Sequence, residues 1–477
     1  MTRAMGATIL LLAIWLPGCA PGPTPVTGQS PEEATYPDNQ SETAINVSNT
    51  GGQQIVTITY NDKTDSVDTI VYTATDRIIK TGASLMGWSN STDGGKTWKY
   101  GGKVKPPAGW AALWGDPALA TWFDDQRYVF LSNLAIPSSK MPEGGASGSP
   151  APYLGGACIA RSADGGRTFS NYACVNNNHH FYDGASLVVS TSGRVFAAYI
   201  DWELSKIDVW ISPSINGSFT MLPDPFPGIT MIAHPRLRTW YDTLYAVAQA
   251  ANGWVWINKY SGGSWGTPVH ISQMAAQVYP TVKLSKGDLR TGPQYSFDIG
   301  APSDSADDPI RMLYTARDGG AGRLYVRGAY CPLDLSSCKD APEWGTTPGN
   351  LNLSGDQFDP NIRAFPGFLT IPAAWQVTYL SREHDVNGNS VSVKHGAPIR
   401  LPDNGPRVLL PLDVATNLQV CSYGTYWGDY NDLQFAGFPK DSTAAQFLVA
   451  FSDSSKGCTE QTEWKSRHLH VSTAMVQ

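Results

Sequence analysis

The sequence predicts an all-β chain folded as a β-propeller of seven blades, and three observations carry that expectation. Its 477 residues include 47 Gly and 34 Pro, with 11% aromatic and only 16% charged residues. That balance suits short strands and tight turns better than helices. A short anchor recurs seven times along the chain, and each anchor is followed by a second segment rich in β-branched and aromatic residues. A lone four-stranded unit cannot bury both faces, whereas units stacked in a ring bury them and leave only short edges.

The elements run in order from an export signal. Arg3 supplies a positive start and "ATILLLAIWL" (7–16) an apolar stretch too short to span a bilayer. It ends in "LPGC", which resembles the bacterial lipobox with Cys19 as the acylated residue; Pro17 stands where a small residue is usual. Residues 1–18 are therefore read as a lipoprotein signal peptide and 19–40, Pro-rich and nearly without apolar residues, as a tether. The expected location is outside the cytoplasm, membrane-anchored, in the periplasm or at the cell surface.

Residues 41–477 are read as one propeller domain. Its anchors are "ETAI" at Glu42, "DPAL" at Asp116, "DGASL" at Asp183, "HPRL" at His234, "YPTV" at Tyr279, "DPNI" at Asp359 and "DYNDL" at Asp429. They are spaced by 74, 67, 51, 45, 80 and 70 residues. The segments behind them are 53–60, 127–133, 194–200, 243–249, 310–316, 368–375 and 446–451; Pro372 weakens the sixth, because it cannot donate to a ladder.

Two octapeptides stand out: "STDGGKTW" (91–98) and "SADGGRTF" (162–169). Both fit Ser-x-Asp-x-Gly-x-x-aromatic, through Ser91, Asp93, Gly95, Trp98 and Ser162, Asp164, Gly166, Phe169. The glycines permit positive φ in a tight hairpin, the Asp can accept backbone N–H bonds, and the aromatic can fold back over the turn. "SPSINGSF" (212–219) replaces the Asp with Ser, and "ARDGGAGR" (316–323) loses the aromatic. The octapeptides resemble the Asp boxes, or BNR repeats, of sialidases and related propellers. That resemblance implies structural turns between the third and fourth strands of a blade, away from the functional face. It also makes six blades the alternative count, six being the number in true sialidases.

Cys19 set aside, six cysteines remain, an even number that suggests disulfides in an exported chain. A hairpin turning at Gly165-Gly166 brings Cys158 opposite Cys174; proximity pairs Cys331 with Cys338 and Cys421 with Cys458. The net charge of −7 and the lack of a Lys/Arg run exclude nucleic acid as a partner. No C-x-x-C spacing or cofactor motif is present, so neither metal nor cofactor is expected.

If each anchor opens an innermost strand, Glu42, Asp116, Asp183, His234, Tyr279, Asp359 and Asp429 ring one channel mouth, with Arg236, Arg238 and Arg363 on the same side by period-2 alternation. Asp116, Asp183, His234, Arg236, Asp359, Arg363 and Asp429 are the ligand-binding candidates, and glycans the expected partners; catalytic residues are not assigned. A sialidase needs three converging arginines and a Tyr/Glu pair. The family's Arg-Ile-Pro motif is missing from the first repeats, and the nearest match is Arg400-Leu401-Pro402. The expected function is a surface-tethered binding or adhesion module. A sialidase-like hydrolase or polysaccharide lyase on the same face is the alternative. "NNNHHFYDG" (176–184), with His179 and His180, reads as an interblade loop, and most of the 16 Trp as packing residues.

Overall fold

The computed structural model describes residues 40–62, 81–141 except 96, 155–273 except 177–180, 295–300, 309–317, 324–341, 356–365, 374–382, 390–400, 412–419, 432–437, 445–453 and 468–476, with short strands at 25–27, 70–72, 77–79, 146–147, 281–283 and 288–290. Among these residues the strands form seven antiparallel sheets of four or five strands, built mostly from strands consecutive in the chain, plus two smaller sheets. Sheet one comprises Gln40–Thr50, Gln53–Asp62, Met86–Ser91 and Lys99–Lys103. Sheet two comprises Trp110–Thr121, Val129–Pro137, Gly156–Ser162 and Ser170–Asn176; sheet three, Tyr182–Val189, Val195–Asp201, Lys206–Ser212 and Thr220–Met221. Sheets four, five and six open with Arg236–Trp240, Tyr295–Ile299 and Gln357–Phe365. Sheet seven takes Asp432–Gly437, Ala445–Asp453 and His468–Val476 from the end of the chain and Pro25–Thr27 from its beginning. Those three residues lie in the stretch expected to be a tether, and they pair with Ser472–Ala474 instead.

The first strands pack side by side in sheet order, and that of sheet seven packs back on that of sheet one. This is a β-propeller arrangement. The second strands are the most deeply buried, because both their faces meet neighbouring sheets: Val129–Pro137 and Val195–Asp201 are buried at every residue. Hydrogen bonds from side chain to backbone fasten sheet to sheet. Thr43 Oγ1 donates to Ala450 O (3.2 Å), Thr121 Oγ1 to Val47 O (3.2 Å), and Leu237 N to Ser186 Oγ (2.9 Å).

Both octapeptides join third to fourth strands. Ser91 Oγ donates to Asp93 Oδ1 (2.7 Å) and accepts from Gly95 N (2.8 Å), while Thr97 N donates to Asp93 Oδ1 (2.9 Å). Ser162, Asp164, Gly166 and Thr168 repeat this at 2.6, 2.8 and 3.0 Å. Trp98 folds back, its Nε1 donating to Gly95 O (3.0 Å), and Phe169 meets Trp88 edge-on. Cys158 and Cys174 face each other across adjacent strands and are bonded, as are Cys331 and Cys338. These bonds point to an oxidising, extracytoplasmic compartment. Cys421 and Cys458 lie outside the described residues, as do Cys19 and the signal segment. No helix among the described residues is long and apolar enough to cross a membrane.

Three expectations about elements need correction. The fifth sheet opens at Tyr295, not at Tyr279, which lies outside the described residues. "YPTV" imitates an anchor locally but is followed by a separate two-stranded ribbon, Thr281–Lys283 with Asp288–Arg290. The second strand of sheet six is Ala374–Ser381, beginning after Pro372 and not across it. The sequence 316–323 falls between a second and a third strand, Ile310–Arg317 and Leu324–Cys331, where an Asp box falls between a third and a fourth.

Candidate functional site

The anchors mark a recurrent irregularity in the first strands. Register shifts fall between Ser41 and Ala44, Gly115 and Ala118, Asp183 and Ser186, and Phe358 and Asn361. The shifted residue has left-handed backbone at Asp116 (φ 53°), Gly184 (φ 57°) and Asp359 (φ 52°). Such bulges re-aim a side chain out of the strand's alternation. In sheet three the position equivalent to Asp116 is thus Gly184, and Asp183 precedes it.

That offset brings three anchors together. Asp116, Asp183 and His234, from sheets two and three and the approach to sheet four, each offer a ligand-capable atom within 4.8 Å of the others. Gly184 N donates to both carboxylates, at 2.8 Å to Asp116 Oδ2 and 3.0 Å to Asp183 Oδ1. His234 Nε2 lies 3.4 Å from Asp183 Oδ2, which also accepts from Trp202 Nε1 at 2.8 Å. His234 is fully buried, and its ring fills the space a side chain at Gly184 would need: a Cβ there would sit 2.1 Å from it. Its carbonyl accepts from the Tyr295 hydroxyl.

Burial by itself would raise the Asp183 pKa. The His234 charge, with hydrogen bonds from His234, Asp116 and Trp202, outweighs burial and holds Asp183 well below the usual carboxylate range. Asp183 is the member open to solvent, its side chain 24% exposed against none for His234. The cluster can accept hydroxyl hydrogen bonds through Asp183, and the three residues together could ligate a cation. Trp202, half-buried beside Asp183, sits at the end of the second strand of sheet three. Sequence reading did not single it out; its position just past "AAYID" was the available signal.

Arg236 and Arg363 line a cavity of about 60 Å³ in the channel, between first strands of sheets one to six, and Arg238 joins them there. It holds a few waters and not a sugar. Arg238 Nε bonds Asp298 Oδ1 (3.1 Å), whose Oδ2 accepts from Ala364 N (2.8 Å), tying sheets four, five and six. Arg363 Nη1 donates to Ile362 O (3.2 Å). Arg238 thus ties inner strands together, and all three arginines line the same cavity.

Asp359 repeats the backbone of Asp116 on sheet six but does not join the cluster. Asp429, His179 and His180 lie outside the described residues, and Glu42 lies in the first strand of sheet one. The Asp boxes lie toward the opposite end of the inner strands. Ser162 stands opposite Val129, which stands opposite Thr121, the last residue of a strand in which Asp116 comes five residues earlier.

No family model matches the chain, and no curated protein matches it. Among solved structures it is similar to an α-L-arabinofuranosidase from Fusarium graminearum, at 14% identity over 80% of this chain and 98% of that one, with a TM-score of 0.42. It is similar to the intramolecular trans-sialidase from Ruminococcus gnavus, at 12% identity over 74% and 92%, TM-score 0.44. It is also similar to an α-L-arabinanase from Penicillium chrysogenum, at 12% identity over 95% and 98%, TM-score 0.43. At this distance the likeness transfers no residue role and no substrate.

Proposed function

We propose that the protein is an exported lipoprotein, anchored through Cys19, whose residues 41–477, with the strand Pro25–Thr27, form one seven-bladed propeller that binds glycans at the channel mouth. The observation that carries the reading is the convergence of Asp116, Asp183 and His234 beside the half-buried indole of Trp202. A charged acceptor next to an aromatic face is the combination that sugars use, hydroxyl to carboxylate and ring to ring. The cyclic packing of first strands supports the count of seven.

Binding is favoured over hydrolysis by the carboxyl geometry. Asp116 and Asp183 converge on one amide, with a carboxylate oxygen of each within 4.8 Å of the other. Outside the sialidases, which use a Tyr nucleophile, glycoside hydrolysis sets its two carboxyls about 5–5.5 or 6.5–9.5 Å apart, flanking the scissile bond. A glycan array probed with the purified protein should retain a defined set of glycans, and a fluorogenic glycoside panel should stay silent. Asp183→Asn should weaken the retained glycan about tenfold, consistent with loss of a charge-assisted hydrogen bond, while Asp93→Ala should not at equal folded fraction. Equal binding by both variants would refute the site assignment, and turnover of any glycoside would refute the binding reading.

A further inference from the structure

Between sheets two and three lies a second cavity, of about 240 Å³, unconnected with the anchors. Its floor is apolar and buried: Phe130, Ile159 and Val195. Its rim is polar and exposed, with Asn171 at the start of the fourth strand of sheet two and Ser214 and Asn216 on the turn of sheet three. Arg161 enters from the third strand of sheet two and stacks its guanidinium 5.5 Å from the centre of the Tyr128 ring. Its Nε is buried and, among the described residues, has no hydrogen-bond partner. Among the described residues its lining contains no Asp or Glu.

The cavity exists because one turn is degenerate. At the junction of sheets one and two the Asp-box glycines press directly on the neighbouring sheet, and Gly165 O accepts from Ser48 Oγ (2.9 Å) and Thr57 Oγ1 (3.3 Å). At the next junction Ser214 stands in the place of Asp164, and Ile215 and Asn216 in the places of Gly165 and Gly166. The turn then closes on itself, Gly217 N to Ser214 O and Ser212 Oγ to Ser214 O, and leaves room above Phe130 and Arg161.

We propose that this cavity binds a carboxylate carried on a compact body with one apolar face, the carboxylate on Arg161 and the body over Phe130 and Ile159. A guanidinium fork matches a carboxylate with two parallel hydrogen bonds, and an unpartnered buried donor gains most from such an acceptor. A pocket slightly smaller than the roughly 300–1,000 Å³ of small-molecule clefts limits the body to about one ring. Burial pushes the Tyr172 hydroxyl up to about 12, so it lines the site as a donor at neutral pH. A uronic acid residue and a free aromatic acid share this chemistry.

The test is titration of the purified protein with glucuronate and with benzoate, against glucose and benzyl alcohol as neutral counterparts, read by calorimetry and ligand-observed NMR. At least one anion should bind, with its neutral counterpart at least tenfold weaker. Binding of glucuronate alone assigns the site to acidic glycans, and of benzoate alone to free aromatic acids. Arg161→Gln should lose the anion at least tenfold with an unchanged melting temperature, and Arg161→Lys should lose less. Ile215→Trp, which fills the cavity from its rim, should block binding with Arg161 intact and serves if the Arg161 variants do not fold. Asp183→Asn should leave it unchanged, so failure here is distinct from failure at the channel mouth. Failure of both anions to bind, binding that survives Arg161→Gln or Ile215→Trp, or equal binding of the neutral counterparts would overturn the proposal.

Discussion

The turn 162–169 of sheet two and the turn 212–219 of sheet three occupy the same place in their sheets, and each faces the sheet before it. The first is locked from within by Ser162 and Asp164 and leaves no space beneath. A Cβ at Gly166 would stand 2.1 Å from Thr57 Oγ1, and one at Gly165 would stand 2.5 Å from Ile55 Cδ1. The second keeps Ser212 and Phe219 but not the Asp or the paired glycines, and opens a cavity of about 240 Å³. One carboxylate and two glycines thus separate a structural joint from a candidate binding site. The carboxylate organises the turn, and the glycines let it approach the neighbouring sheet.

The sharpest way to break this comparison is Gly166→Val. It adds contact where none fits, at φ 90°. Overpacking and left-handed strain together should cost about 3–4 kcal/mol, read by urea denaturation, whereas Asn216→Ala at the matching place should stay within about 0.5 kcal/mol. An equal effect at the two positions would mean that the first turn is packed no more tightly than the second. Next in size is loss of the Cys158–Cys174 bond, which braces the hairpin beneath the intact box. With a sequence separation of 16, the double Ser variant should lose about 3 kcal/mol of stability. Non-reducing peptide mapping should find those two cysteines linked in the parent.

Ser162→Ala removes the acceptor of a buried Gly166 N–H and should cost about 1–3 kcal/mol. Ser212→Ala removes only a bond donated to Ser214 O, and should cost about 0.5–1 kcal/mol. Matching urea midpoints for the two variants would erase the distinction. The smallest effect is in pH dependence. Burial raises the Asp164 pKa, but hydrogen bonds from Ser162, Thr168 and Arg167 outweigh it and leave it below the usual 3.8. A carboxylate depressed on folding stabilises above its unfolded pKa, and that stability is lost as pH falls through the folded value. Asp164→Asn should therefore flatten the acid side of the stability profile below about pH 4, while Ser214→Ala leaves it as steep as in the parent.

What could be read from the sequence was what is local. The boxes are legible because Ser, Asp and Gly act on one another within four residues, and Cys158 with Cys174 because a hairpin register follows from its turn. Six of the second strands announce themselves by composition; the one at Pro372 was misplaced because its alternation continues past the proline into Ala374–Ser381. Tyr279 misled because an aromatic-Pro-Thr-aliphatic run carries no information about its partner strand. The cluster was legible only in part. Its three residues were singled out, but the bulge that sets Gly184 and not Asp183 at the shifted position is decided by pairing with Val195–Asp201. Arg161 gave no local sign, because its cavity is made by a turn some fifty residues further along the chain. The Ser at 214 where an Asp box has its Asp was the only mark it left.

Sheet seven has a consequence in time. Its outer strand, Pro25–Thr27, is the first described stretch of the chain to be synthesised, and its partner, His468–Val476, is the last. Synthesis runs from the N-terminus, so the opening strand must wait, unpaired, while every other sheet emerges. The inner strand of sheet one waits as well, since one of its neighbours is sheet seven. Ring closure is therefore the latest and most non-local step, slow for the entropy it must overcome and open to mispairing until it is complete. A chain stopped short of His468 would keep two raw edges, on Ala445–Asp453 and on Pro25–Thr27, and a nascent molecule at that stage is the form most in need of a chaperone.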